Sequence, residues 1–349
     1  MSPKCKNKTV LLVADVYESF PKLVKFQKQE WESKSSILFL HDTIQNLGYS
    51  VKIIEPQLSK HDFLLELQKV ISQPYNQSNT VLFNLVEGFN SRNREGYIPA
   101  IAEFLGISHT GSDAYAQNIS LDKYLTKQIA KQINIPTAHS LLLDSNTILQ
   151  GPKLRFPLFI KPNGEGSSLG IKHDNIVGNT ASLKKKAKEL LKKYDDLLLE
   201  EYLPGTDLTV GIIGNSGRFR ATKVASVYCP NNVIYGEFIK GKGDMPEVLK
   251  FDISPKIEKE IQEYSICLCE KIGVSGYARV DWKCDSFGKP YFLELNLTPG
   301  LSYYYSSFPI CYQHPYGTYS QMIDEILDLA RKEFKIHPRF SYGKIKKNS

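Results

Sequence analysis

The residues best suited to chemistry stand in two short alternating runs, Arg279-Val-Asp281 and Glu294-Leu-Asn296, joined through the turn sequence Asp285-Ser-Phe-Gly288. If that turn closes a hairpin symmetrically, Arg279 lies opposite Glu294 and Asp281 opposite Phe292. The period of two then puts Arg279, Asp281, Glu294 and Asn296 on one face and Val280, Leu293 and Leu295 on the other. Two carboxylates and a carboxamide beside an arginine are hard oxygen ligands, suited to Mg²⁺ holding nucleotide phosphates. A salt-bridged strand face is the plainer use of the same residues. Thr298-Pro-Gly300 follows directly and offers backbone N–H donors beside that face.

A second run, Lys161-Pro-Asn-Gly-Glu-Gly-Ser-Ser-Leu-Gly170, ends a strand in three glycines and two serines. Glycine lets backbone N–H groups approach an anion without a Cβ in the way, and the lysine adds a point charge, so the loop could hold phosphates; a flexible hairpin loop is the alternative. It is neither GxxxxGK[ST] nor GxGxxG, and neither motif occurs elsewhere, which disfavours a P-loop NTPase or a Rossmann oxidoreductase. A third run, Leu197-Leu-Leu-Glu-Glu-Tyr-Leu203 with Asp207 beyond, combines a strand whose backbone could pair with an adenine edge and an acid within reach of a ribose.

The elements that must position these runs divide the chain. Thr9–Asp15, Ser50–Ile54 and Thr80–Leu85 read as strands, alternating with helices at Ile37–Leu47, Asp62–Ile71 and Tyr97–Leu105. That alternation predicts an open parallel sheet covered on both faces over residues 1–113. Leu121–Ile133 reads as one helix. Strands Phe156–Lys161 and Leu197–Tyr202 flank a helix Thr180–Tyr194 with Thr180 as N-cap, giving an α+β unit over 114–205. Strands Leu208–Ile213 and Phe219–Val227, helix Pro255–Ile272, the hairpin Tyr277–Asn296 and a helix near Thr318–Lys332 form a third unit over 206–335. Tyr228–Phe251 reads as a long loop of the kind that serves as a lid, and 336–349 as a basic tail.

Charged residues at 23% and hydrophobic residues at 42% exclude disordered, collagen-like and disulfide-scaffold classes. No run of about 18 apolar residues exists, so neither a membrane span nor a signal segment is expected, and the chain reads as cytoplasmic. Cys5, Cys229, Cys267, Cys269, Cys284 and Cys311 have no CxxC or zinc spacing and read as reduced thiols. The net charge of +7 gathers in Lys184–Lys193 and Lys344–Lys347, better explained by a solvated helix face and a tail than by a nucleic-acid site.

In this order the motifs resemble the ATP-grasp superfamily, and within it the D-alanine–D-alanine ligase family. The resemblance runs from about residue 80 to 332. It is carried by Phe83-Asn-Leu-Val-Glu-Gly88, Leu105-Gly-Ile-Ser-His-Thr-Gly-Ser112, Leu121-Asp-Lys123, Lys161–Gly170, Leu199-Glu-Glu201 with Asp207-Leu-Thr-Val210, and Gly276-Tyr-Ala-Arg-Val-Asp281 with Glu294-Leu-Asn-Leu-Thr-Pro-Gly300. It implies a three-domain ATP-grasp architecture, mixed α/β and α+β, that joins a carboxylate to an amine at the expense of ATP with Mg²⁺ (or Mn²⁺). On that resemblance Lys123 and Lys161 contact phosphates, with Gly166, Ser168 and Lys240 on the closing loops. Glu200, Glu201, Tyr202 and Leu203 line the adenine, Asp207 takes the ribose, and Asp281, Glu294 and Asn296 hold two metal ions. Arg279 and the Gly300 N–H stabilise an oxyanion, and Glu32, Ser167 and Ser306 complete the catalytic positions, Glu30 competing with Glu32 for the first substrate's ammonium. Small amino acids are the implied partners, with no nucleic acid or membrane, in a chain that could pair as a homodimer; the resemblance implies a role in peptidoglycan biosynthesis.

The departures from the family pattern fall on the amino-acid side. Glu87-Gly88 stands where His-Gly is usual, Lys240-Gly241 replaces a Lys-Tyr pair, and Tyr303-Tyr-Tyr305 adds a residue before Ser306. A ligase for D-alanine, a ligase for a different amino acid or peptide, and a non-catalytic nucleotide-binding protein are the three readings these residues allow.

Overall fold

The computed structural model describes residues 8–20, 31–89, 91–143, 153–166, 169–228 and 248–336. Val10 to Val13 are all buried, and a strand buried on both faces belongs at the centre of a covered sheet. β1 (Thr9–Ala14) accordingly lies between β2 (Ser50–Ile54) and β3 (Thr80–Leu85), parallel to both, with β4 (Ser108–His109) beyond β3. On one face Ile37, Leu40 and Ile44 of α1 (Lys34–Asn46) meet Val10 and Leu12. On the other, Phe63 and Leu67 of α2 (Lys60–Ile71) meet Leu11 and Val13. The short α3 (Pro74–Asn79) precedes β3, and α4 (Tyr97–Leu105) joins the second face through Ile98 and Ala102.

The helix expected over Leu121–Ile133 is α6 (Lys123–Gln132), and a helix the sequence did not reveal, α5 (Ala114–Leu121), precedes it. Asp122 interrupts them with an extended backbone (φ −81°, ψ 94°) and its Oδ1 accepts the Leu125 N–H at 2.9 Å, an N-cap that makes Lys123 the first helical residue. The next sheet is antiparallel, in the order β5 (Ser140–Leu143), β8 (Leu197–Glu201), β6 (Leu158–Pro162), β7 (Ile176–Val177), with α7 (Thr180–Leu190) packed on it. Asn179 rather than Thr180 caps α7, accepting the Ser182 N–H at 2.9 Å.

The third sheet holds β9 (Asp207–Gly214), β10 (Arg220–Ala221), β11 (Ala225–Tyr228), β12 (Val248–Lys250), β13 (Gly276–Cys284) and β14 (Pro290–Asn296), with α8 (Pro255–Ile272) on one face. Phe219–Val227 is thus two short strands instead of one. Of the expected loop Tyr228–Phe251, residues 229–247 lie outside the described residues, as does the tail from 337, and Val248–Lys250 pairs with β11. A helix absent from the sequence reading, α9 (Ser307–Tyr316), precedes α10 (Tyr319–Ile336). Its prolines disguised it: Pro309 sits in the first turn, where a missing N–H costs no helix bond, and Pro315 in the last.

Helix α10 closes the molecule. Ile323, Ile326 and Leu327 pack in one cluster with Leu12 and Phe83 of the parallel sheet and with Ile213, Tyr277 and Phe308 of the third sheet and α9. Among the described residues Cys267, Cys269 and Cys284 are free thiols, and no helix is long and apolar enough to cross a membrane. Because Ile326 is fully buried at this seam, Ile326→Ala is expected to cost about 2–5 kcal/mol, read from urea unfolding; a loss below about 1 kcal/mol would mean that the seam is loosely packed.

Candidate active site

The hairpin β13–β14 sets the site, in a register two residues away from the symmetric one. Asp281 lies opposite Glu294 and Arg279 opposite Asn296. Residues 285–289 separate the strands, one more than the expected turn, and a bulge between Asp281 and Trp282 supplies the second shift. Two shifts of one restore the parity, so Arg279, Asp281, Glu294 and Asn296 still share a face. The bulged residue does not follow the alternation: Leu293 is half-buried and lines the cleft, whereas Val280 and Leu295 enter the core.

On that face Asp281 is bound by the Arg279 guanidinium, Nη2 at 2.8 Å and Nε at 3.0 Å, and by Thr209 Oγ1 at 2.7 Å. Glu294 has the Lys123 ammonium at 3.4 Å. Asn296 turns its Oδ1 to the Thr298 N–H at 2.9 Å. Lys123 also donates to the Glu165 carbonyl, so the first residue of α6 ties β14 to the glycine loop. Asn163 holds the same junction, its side chain accepting the Tyr124 N–H at 2.8 Å and donating to Asp122 at 2.9 Å.

Behind the loop lies a buried triad. Glu200 of β8 is ion-paired with Lys161 of β6 at 2.8 Å and with Lys127 of α6 at 2.7 Å, all three under 5% exposed in their side chains. Lys127 also donates to Thr137 Oγ1 at 3.1 Å and the Phe292 carbonyl at 3.0 Å. Burial alone would raise the Glu200 carboxyl, but the two ammonium groups outweigh it and hold it at about 2. Burial lowers Lys127 to about 8, with Glu200 opposing. Arg94 and Glu95 stand close by: Arg94 is buried, donates to the Gly164 carbonyl at 2.9 Å, and lies 3.7 Å from Glu165.

Lys123, Lys161, Glu200, Glu201, Tyr202, Leu203, Asp207, Arg279, Asp281 and Glu294 all line one cleft between the second and third sheets. Glu201 alternates away from the lysines, and its carboxylate is held by Arg155 at 3.1 Å. The N–H groups of Glu201 and Tyr202 bond the carbonyls of His139 and Pro157, so neither amide is open to a base edge as the sequence reading expected. Asp207 is bound by Lys283 through both oxygens at 2.9 Å. Gly166 sits in the loop, its carbonyl accepting the Leu169 N–H at 2.9 Å; Ser167, Ser168, Lys240 and the competing Glu30 lie outside the described residues.

Glu32, Gly300 and Ser306 form a second cluster, where the chain returns from Asn296. Glu32 accepts the Leu301 N–H at 3.1 Å and the Tyr305 hydroxyl at 3.1 Å. Burial raises its carboxyl, and these donors only partly offset the rise. A Cβ on Gly300 would meet Ser306 Oγ at 2.8 Å and Glu32 Oε1 at 3.3 Å, so only glycine leaves this cradle open.

The family model described as the D-Ala D-Ala ligase C-terminus matches residues 129–328. A D-alanine–D-alanine ligase of Thermotoga petrophila is 30% identical over 261 residues, 74% of this chain and 80% of the relative. One from Aquifex aeolicus is 34% identical over 211 residues, 60% of this chain and 69% of the relative. The chain belongs to the D-alanine–D-alanine ligase family. In three dimensions it is similar to the D-alanine–D-alanine ligase of Bacillus anthracis in complex with ATP, at a TM-score of 0.72 and 18% identity, over 95% of this chain and 99% of that one, which shows the ATP-grasp fold. The chain is therefore an ATP-dependent ligase that forms a peptide bond.

Several groups that shape the cleft escaped the sequence reading. Lys127 had a usable signal, four residues after Lys123 and thus on the same face of α6. Arg94 and Lys283 had none, since their partners are set by sheet register and by loop closure, and Thr209 and Tyr305 stood in quoted motifs without a role of their own. The triad gives a stability test. The native Glu200 value lies below the ordinary 4.5, so its pairing stabilises fully above about pH 4.5 and is lost as pH falls toward 2. Glu200→Gln leaves two buried lysines without their anion and is expected to cost about 3–5 kcal/mol in urea at pH 7. A loss within about 0.5 kcal/mol would show that the triad is not closed in solution.

Proposed function

We propose that this cleft binds ATP and joins two amino acids into a dipeptide, with D-alanine, named in its relatives, as the first candidate for both positions. The observation that carries the reading is the convergence of Lys123, Lys161, Arg279, Asp281 and Glu294 on one cleft, continued by the chain from Asn296 into the Glu32–Gly300–Ser306 cradle. In the reaction a carboxylate oxygen of the first amino acid attacks the γ-phosphorus and ADP leaves. The amine of the second attacks the resulting acylphosphate, loses a proton, and phosphate leaves.

Lys123 and Lys161 hold the phosphates, their charge set against the repulsion of two meeting anions. Lys161 brings a share of the triad's net positive charge to the cleft wall. Leu203, Leu293 and Tyr202 flank the adenine, and Asp207 takes the ribose in exchange for part of its pairing with Lys283. Glu32, a buried carboxylate with a raised proton affinity, gains most from an ammonium placed against it. Arg279 and the Gly300 N–H face the tetrahedral oxyanion. Gly166, in the glycine loop that follows Lys161, is placed to help keep water from the acylphosphate.

Asp281, Glu294 and Asn296 fit Mg²⁺, or Mn²⁺, by their donor set: two opposed carboxylates and a carboxamide at the cleft edge. Among the described residues no three His, Cys, Asp or Glu side chains group as a complete metal site, so the remaining oxygens would come from phosphates and water. Bound there, the metal would neutralise phosphate charge.

Release of ADP and phosphate with D-alanine in a coupled assay tests the activity. Glu294→Gln is expected to bring kcat close to background with the circular dichroism unchanged, and wild-type turnover at saturating Mg²⁺ would remove Glu294 from the site. Lys161→Ala removes a charge-assisted contact and is expected to raise the KM for ATP or lower kcat by about 10- to 150-fold; kinetic constants matching wild type would make Lys161 purely structural.

A further inference from the structure

Three adjacent parallel strands each end in an acid. Asp15 follows β1, Glu55 follows β2 and Glu87 stands just beyond β3. The register sets Val13 beside Ile54 and Ala14 beside Leu85, and neighbouring strands lie about 4.8 Å apart, so all three acids reach one rim. It is the carboxyl end of an open parallel sheet, where such sheets bind ligands.

Two of the three acids carry an unsatisfied oxygen. Asp15 is 1% exposed; its Oδ2 accepts the Gly88 N–H at 2.8 Å, while its Oδ1 has no hydrogen-bond partner among the described residues. Glu55 Oε2 is also buried and without one. Burial raises the Asp15 carboxyl to about 7, the Gly88 and Glu87 N–H groups opposing and Glu55 adding to the rise. A buried carboxyl with the charge of a second carboxyl nearby is expensive until a cation arrives. Close by, Trp31 packs on Phe89 at 6.0 Å and on Phe20 at 5.2 Å, an aromatic wall of the kind that accepts cations.

The rim adjoins the first-substrate position. The Glu32 N–H bonds the Asp15 carbonyl at 3.2 Å, and the Tyr277 hydroxyl feels the charge of both Glu32 and Glu87. We infer that the Asp15–Glu55–Glu87 rim is the side-chain pocket for the amino acid held at Glu32, and that it takes an amino acid bearing a second cationic group. The inference rests on the ligase reading, which assigns Glu32 to the α-ammonium. It departs from D-alanine because a methyl side chain would leave both carboxyl oxygens buried and unpaired.

The test is calorimetric binding of amino acids to the full chain loaded with Mg²⁺ and a non-hydrolysable ATP analogue. The panel is lysine, ornithine and arginine against norleucine and alanine, in both enantiomers. At least one basic amino acid is expected to bind tenfold or more tightly than norleucine of the same hand, about the worth of one charge-assisted hydrogen bond. Asp15→Asn keeps an acceptor for the Gly88 N–H, and Glu55→Gln alters a half-buried side chain; each is expected to bring the ratio toward one. Equal binding of norleucine, a ratio unchanged in both variants, or no binding by any amino acid overturns the inference. ADP release is read separately. Basic preference without ADP release from any pair fails the ligase reading alone, and release with D-alanine without basic preference fails this inference alone.

Discussion

Glu200 holds two lysines from two different elements in the interior, and the geometry of the cleft depends on that contact. Lys127 comes from α6, Lys161 from β6 and the carboxylate from β8, while Lys127 reaches the Phe292 carbonyl on β14. One buried anion thus binds the antiparallel sheet to the third sheet through a single helix. Apolar residues of similar volume would stabilise such an interior as well or better, because desolvating three charges costs several kcal/mol per ion. What apolar residues would not provide is an ammonium fixed at the cleft wall with its position over-determined. The triad therefore reads as a device for placing Lys161 rather than for stability.

Helix α6 repeats that function one turn earlier. Lys123, four residues before Lys127, reaches Glu294 and the glycine loop, so both lysines of one helical face address β14. The break at Asp122 makes this possible: a continuous helix from Leu121 would place Lys123 inside a turn, whereas the cap makes it the first residue, locked by Asn163. Charges of both signs then alternate around the cleft. Arg279 faces Asp281 and Lys283 faces Asp207 in partly exposed pairs, and buried Lys123 faces the partly exposed Glu294, so at least one member of each pair is open to the cleft, unlike the sealed triad.

The Glu32 cluster, proposed above to hold the first amino acid, is built differently, from a closed loop with backbone donors. Glu32 is held by the chain after Gly300 and by Tyr305, and it connects through the Asp15 carbonyl to the rim of the parallel sheet. Glu87 and the Tyr303–Tyr305 run before Ser306, two of the departures expected from the family pattern, stand beside this cluster.

How much was legible in the sequence follows from the range of the interactions. The parallel sheet, α8 and the polar face of the hairpin were readable because apolar period and strand alternation are local properties. The face survived a wrong register, since a longer turn and a bulge each shift the pairing by one and together preserve parity. Leu293 went to the wrong side because a bulge is set by packing of Trp282 and Phe292 and leaves no mark in the alternation. The helix α9 was hidden by its prolines, of which only Pro309, in the first turn, costs no helix bond, and the start of α6 was set by a cap whose only sign was one aspartate. The motifs named the charged residues by themselves. Only the tertiary structure decided their partners, because a salt bridge between residues far apart in the chain depends on how sheets and helices pack, and no local pattern records that.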